Sequence, residues 1–121
     1  MNTTTTFQVE QLDDILVITP GHNLGELVFD EMEAAAEQAY RSLAEGEARH
    51  VVMDFEQTDY YGSTSLSFFV KLWQRVSKIG GKMVFCNVSP HQREVLQITH
   101  LDTLWDSCGT RDEALQRIRG S

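Results

Sequence analysis

The sequence predicts an α/β domain in the order ββαβαβαβα: a mostly parallel mixed sheet with an N-terminal antiparallel hairpin strand and about four helices. Three observations predict it. Dense runs of β-forming aliphatic residues recur, chiefly Ile15-Leu16-Val17-Ile18, Val51-Val52-Met53 and Met83-Val84-Phe85. Between them, apolar residues return at three- and four-residue spacing, the period of a helix face. Turn and cap residues separate one pattern from the next, and strand-helix-strand alternation brings each later strand back in the same direction.

Taken in order, Phe7 to Glu10 alternates weakly and the Ile15 run is bounded by Asp13-Asp14 and Pro20-Gly21, which predicts a hairpin whose second strand is buried on both faces. After the loop Gly21-His22-Asn23-Leu24-Gly25, the residues Val28, Met32, Ala35, Ala39 and Leu43 form one stripe of an amphipathic helix. Glu31, Glu33, Glu37 and Arg41 mark its wet side. A connection through Gly46 leads to an interior strand over Val51 to Phe55, followed by a polar and aromatic stretch to Gly62. Ser63 or Thr64 then caps a helix through Leu66, Phe69, Val70, Trp73 and Val76, which Gly80-Gly81 stops. A second apolar line on that helix, Phe68, Leu72 and Ile79, is either covered by neighbouring helices or left as a docking strip.

Met83 to Cys86 is the fourth strand, and Ser89-Pro90 starts a short helix reaching about Thr99. Thr103-Leu104-Trp105 is the expected last strand. Thr110 followed by Asp112-Glu113 opens a terminal helix carrying Ala114, Leu115 and Ile118. A single domain over residues 7–119 is expected, with residues 1–6 as a mobile tail.

Composition narrows the function. The 121 residues suit one domain with a real core. Eighteen acidic residues against ten basic ones give a net charge of −8, which disfavours nucleic acid and anionic membrane surfaces as partners. Acids are expected near each Lys and Arg, so that no basic stripe overrules this charge locally. The polar N-terminus does not resemble a signal peptide and no apolar run approaches the ~20 residues of a membrane span, so the cytoplasm is the expected compartment. Cys86 and Cys108 lack CxxC spacing and are expected as free thiols.

Catalytic patterns fail one by one, and the chain is expected not to be an enzyme. The turn Gly62-Ser63-Thr64-Ser65-Leu66 is not the G-x-S-x-G elbow of a serine nucleophile. No phosphate-cradling glycine motif follows a strand, since Gly80-Gly81-Lys82 precedes one. Asp54 ends a strand, where an aspartyl-phosphate acceptor could sit, but such a site also needs an acidic pair for magnesium and a late lysine, and no Lys follows Lys82. Asp54 is expected instead to satisfy nearby backbone donors. His22, His50, His91 and His100 lack i, i+4 spacing, so no metal site and no cofactor are expected.

The Ser63 region survives this elimination. A hydroxyl at a helix N-terminus lies beside unpaired backbone N–H groups and the positive end of the helix dipole, where added negative charge is tolerated. A phosphate there adds about −1.5 to −2 charges while leaving the helix intact. On local sequence alone, a plain helix cap is the competing explanation.

The residues from about Val9 to Arg119 resemble a STAS domain, the module of sulfate transporters and anti-sigma factor antagonists. The matching segments are Val51-Val52-Met53-Asp54-Phe55, the Gly62-Ser63-Thr64-Ser65-Leu66 turn, Gly80 through Pro90, and Leu101-Asp102. The resemblance implies a binding module for an anti-sigma factor with serine kinase activity, engaged when unphosphorylated, released by phosphorylation of Ser63 and restored by a phosphatase. Thr64 is the second-choice acceptor, and ATP would be bound by the kinase. Gly62 stands where the family usually has Asp, and Ser65 where it usually has Gly, which motivates the alternative of a constitutive scaffolding domain. The candidate partner contact comprises Gly21, His22, Asn23, Leu24, Tyr60, Tyr61, Gly62, Ser63, Thr64 and Ser65. The sequence leaves self-association open.

Overall fold

β1 (Phe7–Leu12) and β2 (Ile15–Pro20) pair antiparallel from Phe7↔Pro20 to Leu12↔Ile15, so the turn is the two residues Asp13-Asp14. Asp13 takes a positive φ of 57°, a conformation that a short hydrogen-bonding side chain tolerates. The computed structural model describes residues 7–20, 29–56, 63–100 and 105–120. The expected N-terminal tail therefore lies outside the described residues.

β3 (His50–Asp54), β4 (Met83–Cys86) and β5 (Asp106–Cys108) continue the sheet in parallel, giving the order β1-β2-β3-β4-β5. Val17, Val52 and Val84 are successive partners across β2, β3 and β4 and thus share one face. Every residue of β2 is buried, as the unbroken aliphatic run predicts for a strand covered on both sides.

Four helices complete the fold: α1 (Phe29–Ala44), α2 (Ser63–Lys78), α3 (Pro90–Ile98) and α4 (Arg111–Gly120). The first three cover one face, where Ala39, Leu43, Phe69, Leu72, Val76 and Leu96 meet Leu16, Ile18, Val51, Met53 and Phe85. Among the described residues, α4 alone covers the other, setting Ala114 and Ile118 on Ile15, Val17, Val52, Val84 and Cys86. Phe85 stacks on Trp105 at 4.5 Å and meets Phe69 edge-on at 5.5 Å, so α2, β4 and the approach to β5 share one aromatic cluster. Burial of a phenylalanine contributes roughly 1.5–3 kcal/mol. Arg75 lies 4.3 Å over the Tyr40 ring and joins α2 to α1.

The helix ends follow their sequence signals. Ser89 caps α3 in a reciprocal box with Gln92, whose amide side chain accepts from the Ser89 N–H. Thr110 and Glu113 make the same exchange at α4. Gly80 ends α2 at φ +77°, and a Cβ on Gly81 would lie 1.7 Å from the Arg49 carbonyl oxygen, so two glycines are required at this stop.

Two expectations are corrected, the cap of α2 and the position of the last strand, and two others are filled in. α2 begins at Ser63, which is its first helical residue instead of the cap before it. In α1 the expected stripe holds at Ala39 and Leu43, which are buried together with Ala36; Val28 lies outside the described residues. The last strand is Asp106–Cys108, three residues beyond the apolar Thr103-Leu104-Trp105, of which Thr103 and Leu104 lie outside the described residues. Trp105 packs into the aromatic core, whereas the short edge strand exposes Asp106 and Ser107 and offers no apolar pattern to read. On α2, the covered alternative holds for Phe68 and Leu72, which are buried, while Ile79 is exposed.

Candidate functional site

In a parallel sheet the crossover connections leave from the C-terminal ends of the strands, and three of them meet here around one carboxylate. Asp54, the last residue of β3, is fully buried. Its Oδ1 accepts the Glu56 backbone N–H at 3.0 Å and the Asn87 amide at 2.8 Å, and its Oδ2 accepts Arg111 Nε at 2.9 Å. Glu56 starts the path to α2, Asn87 the path to α3, and Arg111 is the first residue of α4. Asn87 reaches its place with a φ of 57°, a left-handed position that asparagine tolerates.

Arg111 extends the cluster to the hairpin. It donates to Glu10 Oε1 at 3.0 Å and to Thr19 Oγ1 at 3.2 Å, and lies 3.8 Å from Glu56 Oε1. Glu10, Thr19 and Asp54 share the α4 face of the sheet because of strand alternation. Burial alone would push the Asp54 carboxyl up. The hydrogen bonds from Asn87, Arg111 and the Glu56 N–H, with the Arg111 charge, outweigh it and hold the group below its ordinary 3.8. The Arg111 guanidinium is held charged above its ordinary range, because Asp54 and Glu10 outweigh its own desolvation.

This chemistry is structural in kind. Both Asp54 oxygens are engaged and the side chain has no exposure, so it is not placed as an acceptor of phosphate. The expectation that Asp54 satisfies backbone donors holds for Glu56 and misses the larger part, the guanidinium 57 residues away. Strand ends carrying Asp54 and Asn87 are the only sequence signal for this meeting; nothing local marks Arg111 as the partner. Among the described residues, no group of three His, Cys, Asp or Glu is placed to hold a metal ion, and no helix is long and apolar enough to cross a membrane.

The backbone sets Ser63, Thr64 and Ser65 in the first turn of α2, the helix that carries the chain back from this same sheet edge. α2 has no acidic residue in its first turn. Gly21, His22, Asn23, Leu24, Tyr60, Tyr61 and Gly62 lie outside the described residues, as do Leu101 and Asp102.

One charge expectation fails. From Tyr60 to Arg93 the sequence contains no Asp or Glu, and five basic residues fall there: Lys71, Arg75, Lys78, Lys82 and Arg93. Arg93 has Glu94 beside it on α3, whereas acids near the other four in the folded chain have to come from other elements. Among the described residues, neither Lys71 nor Lys78 takes part in an ion pair. The overall charge of −8 conceals this segregation.

A hairpin followed by three parallel strands, three helices on one face and a single helix on the other is the architecture of a STAS domain. The STAS domain profile matches residues 6–114, and the chain belongs to that family. It is 32% identical over 85 residues to BtrV of Bordetella bronchiseptica, whose name assigns it provisionally as an anti-sigma factor antagonist; the match covers 67% of this chain and 72% of BtrV. Among solved structures, it resembles an anti-sigma factor antagonist (STAS) domain protein of Planctomyces limnophilus, with a TM-score of 0.75 and 27% identity over 93% of this chain and 97% of that one. The fold also matches SpoIIAA in its unphosphorylated form, with a TM-score of 0.76 and 21% identity over 95% of this chain and 99% of that one. The phosphorylated form of SpoIIAA, from Bacillus, matches with a TM-score of 0.73 and 23% identity over 93% of this chain and 99% of that one.

Proposed function

We propose that this chain is a cytoplasmic anti-sigma factor antagonist that binds an anti-sigma factor with serine kinase activity and is released when that kinase phosphorylates Ser63. The observation that carries the reading is the position of Ser63 as the first residue of α2 in a chain of the STAS family. The naming of BtrV and the existence of SpoIIAA in unphosphorylated and phosphorylated forms support it. A phosphate at this helix start adds about −1.5 to −2 charges where the unpaired N–H groups and the dipole accept them, so binding changes while the fold persists. The contact would include Gly21 to Leu24 and Tyr60 to Ser65, and a phosphatase would restore the binding state.

The test is incubation with the cognate kinase and ATP, followed by mass spectrometry of Ser63 and Thr64. Phosphate on Ser63, with Ser63→Ala retaining partner binding and Ser63→Asp losing it, is expected. Absence of modification in the presence of a proven binding partner would sink the reading. Equal binding by the two variants would instead favour a constitutive scaffold, the alternative that Gly62 motivates.

A further inference from the structure

α2 presents to solvent a row whose spacing is that of one helix face: Ser67, Lys71, Gln74 and Lys78 are exposed, and Ser63 falls four residues before Ser67 on the same row. Val70 and Trp73, only partly buried, flank the row on one side. On the other side Arg75 lies over Tyr40 and marks the border with α1. α1 carries the opposite sign, with Asp30, Glu31, Glu33 and Glu37 against Arg41 alone. Of these acids Glu37 is exposed on the helix, and Glu45 and Glu47 are exposed just beyond its end. Two adjacent helices thus carry segregated charge.

Arg75 and Lys78 in the last turn have an ordinary reason to be basic, because cations complement the negative end of the helix dipole. That reason does not extend to Lys71, in the middle of the helix, or to the lack of any acid over all sixteen residues of α2. Lys71 and Lys78 have no ion-pair partner among the described residues. Screening over about 8 Å at physiological salt makes such a local row, and not the net charge, decide what can lie against it.

We propose that the outward row of α2, with Lys71 and Lys78 as its charged contacts and Val70 and Trp73 as its apolar margin, docks an acidic surface of the partner protein. The inference rests on the anti-sigma factor reading above and names the chemistry of the surface that meets it. Complementary charge selects the partner, and the acids of α1 repel it and confine it to α2. Regulation then follows from position. A phosphate of about −1.5 to −2 at the head of the row lies about 12 Å along the helix from Lys71, so it acts by setting like charge against the docked acidic surface, and release comes from repulsion at the N-terminal end of the row.

Two measurements test this separately. In the first, a Glu-rich helical peptide is titrated into the protein and backbone amide shifts are followed. Shifts confined to α2 between Ser67 and Ile79, lost in Lys71→Glu/Lys78→Glu and kept in Arg41→Glu, are expected. Shifts elsewhere, or their persistence in the double variant, overturn the proposal. The same shifts appearing on raising protein concentration without peptide, or more strongly with a DNA duplex, overturn it in favour of a second copy or a nucleic acid. In the second, affinity for the anti-sigma factor is compared among these proteins. Lys71→Glu/Lys78→Glu is expected to weaken binding roughly tenfold or more at low salt, with the gap narrowing as salt rises. Wild-type and double variant binding alike would remove the inference and leave the functional reading intact; a wild type that binds no anti-sigma factor would remove the functional reading, while the peptide titration still decides the nature of the row.

Discussion

Arg111 Nε donates to Asp54 Oδ2 at 2.9 Å and joins the start of the last helix to the end of the central strand, across 57 residues of sequence. The two ends of this bond are unequal: Asp54 is fully buried, whereas Arg111 keeps 30% of its side chain exposed. Losing the arginine strands a charge without water; losing the aspartate leaves a cation that solvent and Glu10 can still receive.

Arg111→Met is therefore expected to destabilise by about 2–4 kcal/mol, and Asp54→Asn by about 1–3 kcal/mol. A double-mutant cycle read by urea denaturation should return a coupling of roughly 1–3 kcal/mol. Additive effects would show that the pair contributes packing alone.

Acid stability should depend on the same carboxyl. Its folded pKa is lowered from 3.8, so between the two values the unfolded chain binds more protons. The contribution is complete above the unfolded value and is lost as pH falls through the folded one. Denaturation midpoints measured from pH 6 to pH 2 should fall less steeply in Asp54→Asn than in wild type.

His50 acts at higher pH. Burial, opposed by Asp14 and assisted by Arg49 and Lys82, lowers its pKa from 6.5, and its Nδ1 accepts the Lys82 backbone N–H at 3.0 Å, a bond only the unprotonated nitrogen can make. The stabilisation is complete above 6.5 and lost as pH falls through the lower folded value. His50→Asn should remove this slope from the pH 7 to pH 5 stability profile.

The two glycine classes should separate by cost. Gly81→Ala sets a Cβ 1.7 Å from the Arg49 carbonyl and must displace backbone, with an expected loss of roughly 2–4 kcal/mol. Gly46→Ala meets nothing within 4 Å and bears only its positive φ of 78°, for about 1–2 kcal/mol. Thermal denaturation of both variants makes the comparison.

Thiol chemistry should be silent in the folded protein. Burial, with the Asp54 charge beside it, pushes Cys86 up to about 12, and burial raises Cys108 as well. Reaction with a disulfide reagent at pH 8 should be slow for both natively and should reach two thiols per chain on unfolding.

Much of the fold is legible in the sequence because its signals are local. The Ile15 run, the Ser89-Pro90 start and the Gly80-Gly81 stop each state their structure within a few residues, and the register of the hairpin follows from Asp13-Asp14. β5 escapes because an edge strand of three residues with two exposed has no periodicity, while Trp105 beside it has the hydrophobicity of a strand and packs into the core. The Asp54 cluster is illegible for another reason: its partners come from β1, β2, α4 and the residue after β4, and only the sheet order brings them together. The lysine row is readable in the linear sequence, as a stretch without acids, but the net charge masks it.

The Asp54–Arg111 bond also orders events during synthesis. The ribosome delivers β3 long before α4, so a nascent chain holding both hairpin strands, β3 and β4 still shows one bare sheet face of Ile15, Val17, Val52 and Val84 and a carboxylate without its cation. Packing on that side can close only when Arg111 emerges. Until then the incomplete domain exposes apolar sheet surface of the kind that makes partly folded chains prone to aggregate, and it is the arrival of α4 that removes it.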